Sequence, residues 1–310
     1  MPPPWFEAIE LPEHDFAGAM HLSLLFFRAQ RSGDLGPTNP VPWRSATSFA
    51  HDGADVGADL SKGYFDAGDY IKFGQPGAYT VAMLAWSALE FPAGLMAARA
   101  TAEIRLAIRW GTDYILEAAK HLSSRCTYHA QVSRGATAGC KQTSCRFDHG
   151  FWGRPEEYES YEYAGQRRTY SISSDKPGSE VWAQASAALS GAHLVFRDED
   201  PVYAARLLSV SEALYVCATQ HNVNGTLLRM GLPAAFPQYE SRSFGDDLAW
   251  AAAWLFEATG NATYAMQFVP NLHRGPGDSF WYEGFGASWD DVNAMAKLKV
   301  KSACKYSYVH

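Results

Sequence analysis

The sequence predicts an all-α fold, a succession of helices that carries long loops at one end. Three observations predict it. Apolar residues recur at three- and four-residue spacing over most of the chain, which is the period of a half-buried helix. Alternating apolar and polar runs, the mark of a half-buried strand, are scarce. No Gly/Ser- or Pro-rich linker divides the 310 residues, so the helices read as parts of one large domain.

The elements follow in order. The helical pattern opens at Phe16 and runs to Arg31. A second helix begins near Ala78 and carries Val81, Leu84, Ala85 and Leu89 on one face. A third covers Ala98 to Lys120, with Ile104, Ile108, Trp110, Tyr114 and Ile115. Glu180 to Phe196, Pro201 to Ala218 and Asp246 to Thr259 give the next three, and the stretch from about Asp290 to Val300 starts a seventh. Two long connections, Ser32 to Gly77 and Tyr128 to Gly178, are rich in Gly, Asp, Tyr and Trp. Long loops within a domain are uncommon and usually functional.

Composition narrows the function. A hydrophobic share of 47% supports a sizeable core, and 19% charged residues argues against disorder. The aromatic share of 14% is rich; core packing accounts for most of it, and a part suits platforms for flat, partly apolar ligands. With a net charge of −7 and no basic stripe, nucleic acid is excluded as a partner class. The longest apolar runs, AMLAW and AAAWLF, are too short to span a membrane. The N-terminal stretch MPPPWFEAIELPEHDF places acids and prolines where a secretory leader needs a basic and then an apolar segment.

Five cysteines leave at least one unpaired. Cys126, Cys140 and Cys145 share one Ser/Thr/Gly-rich stretch, which fits either a disulfide-held loop or free thiols. Zinc is not indicated, because no Cys-x-x-Cys spacing occurs. Asn224 and Asn261 lie in glycosylation sequons, compatible with secretion.

The chemistry concentrates in DGADVGADLSKGYFDAGDYIKFG, Asp52 to Gly74, which holds Asp52, Asp55, Asp59, Asp66 and Asp69 beside several glycines. Asp66 and Asp69 are three residues apart, and in a turn or a helix start they project to the same side. Two close carboxylates repel unless something bridges them. A water held between them, oriented by one and deprotonated by the other, is what an inverting glycosidase needs on the face opposite its leaving group. The acids alone also fit a helix cap at Asp69 with solvated loop acids around it. An EF-hand is ruled out, since its D-x-D-x-D-G spacing is absent.

A family resemblance now becomes specific. RAQRSG, VPWR, DVGADLSKGYFDAGDYIKFG and AYTVAMLAWSALEF resemble, in order and spacing, the start of the glycoside hydrolase family 9 catalytic domain. FDHGFWGRPEE, SDKPGSEVWAQASAALSGAHLVF, SRSFGDDLAWAAAWLFEATGNATY and SWDD are similar to its later segments. The resemblance covers Phe16 to about Ala296, leaving residues 1–15 as an extension and 297–310 as a divergent tail. It implies an (α/α)6 barrel, a six-hairpin toroid that is incomplete here because the C-terminal part is absent. It implies endo-acting hydrolysis of cellulose and related β-1,4-glucans with inversion, by a secreted enzyme that requires no cofactor. Asp69 would be the general base, and Asp66 would help to hold the attacking water. His149, Trp152 and Tyr239 would contact the glucan, while Arg154 and Glu156 would brace their loop. Asp246, Asp247 and Asp290 match the positions of a structural calcium, whose hard oxygen ligands such acids supply. The family's catalytic glutamate and the His-His-Arg-type segment before it have no counterpart in KLKVKSACKYSYVH, so the general acid is missing. Hydrolysis by the 310-residue chain is then expected to be weak or absent. The alternative is a non-catalytic glucan-binding fragment. A terpene cyclase would need Asp-Asp-x-x-Asp, and both DDLAW and DDVNA lack the last acid.

Overall fold

Asp15 starts the first helix: its Oδ1 accepts a hydrogen bond from the Gly18 N–H at 2.7 Å, the usual device for satisfying a free helix N-terminus. The computed structural model describes residues 14–37, 39–44, 47–66, 68–123, 125–134, 147–162, 164–221, 241, 243–272 and 287–307. Among them nine helices follow in order: α1 (Phe16–Ala29), α2 (Gly74–Glu90), α3 (Pro92–Ala97), α4 (Thr101–Ala118), α5 (Ser179–Phe196), α6 (Pro201–His221), α7 (Gly245–Thr259), α8 (Ala262–Leu272) and α9 (Asn293–Ser307). The seven helices expected from periodicity are all present. The spacing missed α3, which is six residues long, and α8, which contains Pro270.

The core forms where two helices are apolar all round, a pattern that requires burial on every side. These are α5 and α7. They pack against each other, and α5 also meets α2 and α6 while α7 meets α8 and α9. Trp182, Trp250 and Trp254 lie fully buried between them. Ser186, Ser190 and Ser211 satisfy one another across the α5–α6 contact, with hydroxyl separations of 2.6 to 2.9 Å. The segment after Ala296 is continuous with α9. Within it, Lys299 donates to Glu257 at 2.7 Å and sits 3.8 Å from the Trp254 ring centre, so no break marks the expected tail boundary.

The two long connections contain strands that the alternation rule does not detect. β1 (Gly33–Asp34) pairs antiparallel with β2 (Thr47–Ser48). β3 (Lys72–Phe73), β4 (Tyr128–Val132) and β5 (Thr169–Ile172) form an antiparallel sheet in that order. All five residues of β4 are buried, including His129 and Gln131, so there is no polar face to produce a period of two. The start of α2 lies hard against this strand. A Cβ on Gly74 would stand 2.4 Å from the Ala130 carbonyl oxygen, so only glycine fits there. A disulfide joins Cys126, just before β4, to Cys217 on α6. The cysteine cluster therefore does not pair within itself at Cys126, which has a partner 91 residues away. Cys140 and Cys145 lie outside the described residues. No helix among those described is long and apolar enough to cross a membrane.

Candidate active site

The DAGD segment is a tight turn ahead of β3. The Asp66 N–H donates to the Ile71 carbonyl at 3.0 Å, and the Asp69 N–H donates to the Asp66 carbonyl at 3.1 Å. The turn closes before α2 begins at Gly74, so Asp69 is not the cap of that helix. Asp66 is half-buried, and the Asp69 carboxylate keeps 16% of its surface exposed.

His149 reaches the turn from the second long connection. A short 3-10 turn at Asp148–Gly150 carries it, and its Nδ1 stands 3.0 Å from Asp69 Oδ1. Burial pushes the Asp69 carboxyl above its ordinary range, and the His149 contact partly offsets this. A raised, partly exposed carboxylate aimed at an imidazole is a better proton acceptor than an ordinary one. Trp152, three residues further on, is 81% exposed. A Cβ on Gly68 would stand 3.8 Å from its indole ring, which places the ring close to the turn. A large aromatic face open to solvent close to this turn is a surface that a sugar ring's apolar C–H face can stack upon.

Under these side chains lies a network that the sequence did not disclose. Arg167 donates through Nε and Nη2 to the two oxygens of Asp52, both at 2.8 Å, and through Nη1 to Asp148 at 2.6 Å. Its Nη2 also donates to the Tyr70 carbonyl at 3.0 Å. The Tyr158 hydroxyl donates to Asp148, and the Tyr70 hydroxyl donates to the Gly153 carbonyl. Lys72 stands 2.9 Å from Asp52 and donates to the Leu60 and Ser61 carbonyls. Burial alone would raise the Asp52 carboxyl, but Arg167 and Lys72 together hold it below its ordinary value. Burial brings the Lys72 ammonium down to about 8, against the pull of Asp52. Phe49, Phe65, Tyr70, Phe151 and Tyr158 pack as one aromatic cluster beside these charges. Asp52 belongs to the acid-rich stretch, but Arg167 sits in QRRTYSI, which carries no spacing signal.

The other expected residues divide. Asp55 takes the Thr169 N–H at 2.8 Å, tying the first long connection to β5, and Asp59 takes the Ser61 hydroxyl at 2.6 Å as a local brace. Glu156 receives Arg44 at 2.7 Å and Arg154 pairs with Glu157 at 2.6 Å, in keeping with loop bracing. Tyr239 lies outside the described residues. Asp246 Oδ2 accepts the Val292 N–H at 3.0 Å, and burial lifts its carboxyl to about 6. Asp247 Oδ1 accepts from Gln184 at 2.7 Å, and burial, with Asp246 and Glu180 close by, raises it well above the ordinary range. Calcium needs ionised oxygens gathered on one point. Among the described residues no group of three or more His, Cys, Asp or Glu side chains is arranged to hold a metal. Asp246 and Asp247 each give one carboxylate oxygen to a protein donor, and the calcium expected at Asp246, Asp247 and Asp290 stays a proposal.

Comparison with known proteins decides the family. The model for glycosyl hydrolase family 9 matches residues 16–309. This chain belongs to glycosyl hydrolase family 9. It is 38% identical over 291 residues to endoglucanase 3 of Oryza sativa subsp. japonica, covering 94% of this chain and 53% of that protein. The solved endoglucanase of the termite Nasutitermes takasagoensis superposes with a TM-score of 0.81 at 35% identity, over 94% of this chain and 61% of that one. A C. cellulolyticum cellulase in complex with cellobiose gives 0.79 at 32% identity, over 94% and 63%. The family 9 chain thus spans about half the length of the curated relatives it matches, and its helices form part of the (α/α)6 barrel of that family.

Proposed function

We propose that this chain carries the water-activating half of an inverting endo-β-1,4-glucanase site. The observation that carries the reading is the Asp69–His149 pair at 3.0 Å, with the exposed Trp152 ring close to Gly68 of the same turn. Asp69 is the general base. Asp66, one turn earlier, helps to hold the attacking water. His149 orients the Asp69 carboxylate and offers a hydrogen-bond partner to sugar hydroxyls. Trp152 takes the C–H face of a glucosyl ring. The cellobiose-bound cellulase among the similar structures supports cello-oligosaccharides as the ligand class. Removing the water proton as the C–O bond lengthens puts the new hydroxyl on the face opposite the leaving sugar, which inverts the anomeric centre. The reading assigns the general acid to no residue of this chain. Binding is therefore expected to survive better than turnover, because an acid contributes about 10²–10⁴-fold to rate and little to ground-state affinity. The Cys126–Cys217 disulfide supports an oxidising, extracellular setting.

The experiment pairs calorimetric titration of cellotetraose with a reducing-end assay on carboxymethylcellulose, for the chain and for Asp69→Asn. We expect oligosaccharide binding by both, feeble hydrolysis by the parent and none by the variant. Where turnover suffices, NMR of fresh product should show the α-anomer first. Hydrolysis that survives Asp69→Asn unchanged would remove Asp69 from the role of base. Binding with no hydrolysis at all would mark the chain as a glucan-binding fragment.

A further inference from the structure

Asp69 and His149 are 80 residues apart in sequence, on two different loops, and no strand carries both. Their direct contact cannot hold them in register, because His149 is 49% exposed and a solvated pair of this kind stabilises little. Something beneath must fix the loops. Among the described residues, Arg167 bonds to both loops. Tyr70, whose carbonyl it holds, is the residue after Asp69. Asp148, whose carboxylate it holds, is the residue before His149. The same guanidinium is anchored from behind by both oxygens of Asp52 and lies 4.2 Å from the centre of the Phe49 ring. Tyr70 extends the linkage to Gly153, next to Trp152.

We propose that Arg167 is the positioning residue of this site: one buried guanidinium ties the Asp69 turn to the His149 loop and so sets the distance between base and imidazole. The inference rests on the proposed roles of those two residues. Arginine suits the task because its planar fork offers donors in fixed directions to three acceptors at once, which a lysine ammonium on a flexible stem does not. The Arg167 side chain is 8% exposed, and Asp52 and Asp148 keep its charge in place despite burial. A displacement of about 1 Å at a reacting pair costs on the order of 10²-fold in rate, so a rigid support matters more here than the energy of any one bond.

A cavity of about 280 Å³, lined by Phe49, Asp52, Tyr158 and Arg167 among others, opens beside the guanidinium. It makes chemical rescue feasible. The test uses the whole chain with Arg167→Ala and Arg167→Lys. The pH titration of Asp69 is followed through its ¹³C-labelled carboxyl, and cellotetraose affinity by calorimetry. With the support gone, His149 drifts from Asp69 and its lowering influence is lost. The Asp69 midpoint should move to higher pH in both variants, and affinity should fall about tenfold. Guanidinium at a few tens of millimolar (about 30 mM) should return the midpoint in Arg167→Ala toward the parent value, because it refills the same three acceptors. It should do nothing to the parent. A role in stability alone would lower the melting temperature and leave the Asp69 midpoint unmoved, and that result overturns the proposal. Rescue of melting temperature without return of the midpoint overturns it equally. If Arg167→Ala does not fold, Arg167→Lys decides, because it keeps the charge near Asp52 and Asp148 but cannot also reach Tyr70. The titration does not depend on turnover. Failure of the parent to bind cellotetraose therefore counts against the hydrolase reading, while the midpoint still judges Arg167.

Discussion

Trp152→Ala separates a ligand platform from a packing residue. The indole is 81% exposed, so the folded chain gains little from it, and its removal should change stability by no more than about 0.5 kcal/mol. A glucosyl ring resting on one indole face would cover on the order of 60 Å² of apolar surface. At about 25 cal/mol per Å² that is about 1.5 kcal/mol of binding, or about tenfold in affinity. Calorimetry with cellotetraose measures the loss, and a thermal melt of the same sample measures stability. Trp182→Ala is the control, because that ring is fully buried between helices and its truncation should cost about 3–5 kcal/mol of stability. The reasoning fails if Trp152→Ala binds cellotetraose as tightly as the parent, or if its melting temperature falls as far as that of the control.

Three further outcomes are expected. His149→Ala removes the contact that opposes burial at Asp69, so the carboxyl rises further. A base works only when ionised, so the acidic limb of hydrolysis should move to higher pH; an unmoved limb in the pH–rate profile would exclude the pairing. Asp246 has a folded-state pKa of about 6 against an ordinary 3.8, so its burial favours the protonated form, and the stability tied to that form is full below about pH 4 and lost as pH rises through 6. Asp246→Asn should raise stability at pH 7.5 by up to about 3 kcal/mol and change little at pH 4, read from urea midpoints. If calcium instead raises the parent's melting temperature and not the variant's, the carboxylate is a ligand and the argument is wrong. Replacing Cys126 and Cys217 by alanine opens a loop with a separation of 91 residues, which loop entropy values at about 4–5 kcal/mol. The double variant should melt well below the oxidised parent and near the reduced one; equal melting of all three would show that the bond does not stabilise the fold.

Much of the site was legible because its signal is local. Asp66, Asp69, His149 and Trp152 lie in short segments whose residue types state their chemistry, and the structure brings Asp69, His149 and Trp152 together around the DAGD turn. The helices were legible for a related reason: a helix buried on one face repeats its apolar residues at fixed spacing. β4 was not, because full burial erases the alternation that reveals a strand. The partner of Cys126 was not, because pairing depends on which helix passes nearby and not on the cysteines that neighbour it in sequence. The expected calcium ligands show how residue type alone leaves partners open. Asp246 and Asp247 have the right residue type, and only the fold shows that one oxygen of the first accepts a backbone N–H and one oxygen of the second accepts from Gln184.

What the sequence by itself determined is seven of the nine described helices, the acidic turn and the family. Each is written in spacing over a few residues or in blocks of residue types that keep their order. What only the tertiary structure decided is which distant groups meet. Arg167 finds Asp52, Asp148 and the Tyr70 carbonyl across separations of 115, 19 and 97 residues, and no local pattern encodes such a meeting. The physical reason is that a buried charge must be satisfied by whatever the packed helices and loops bring within about 3 Å, and that choice is made by the fold as a whole.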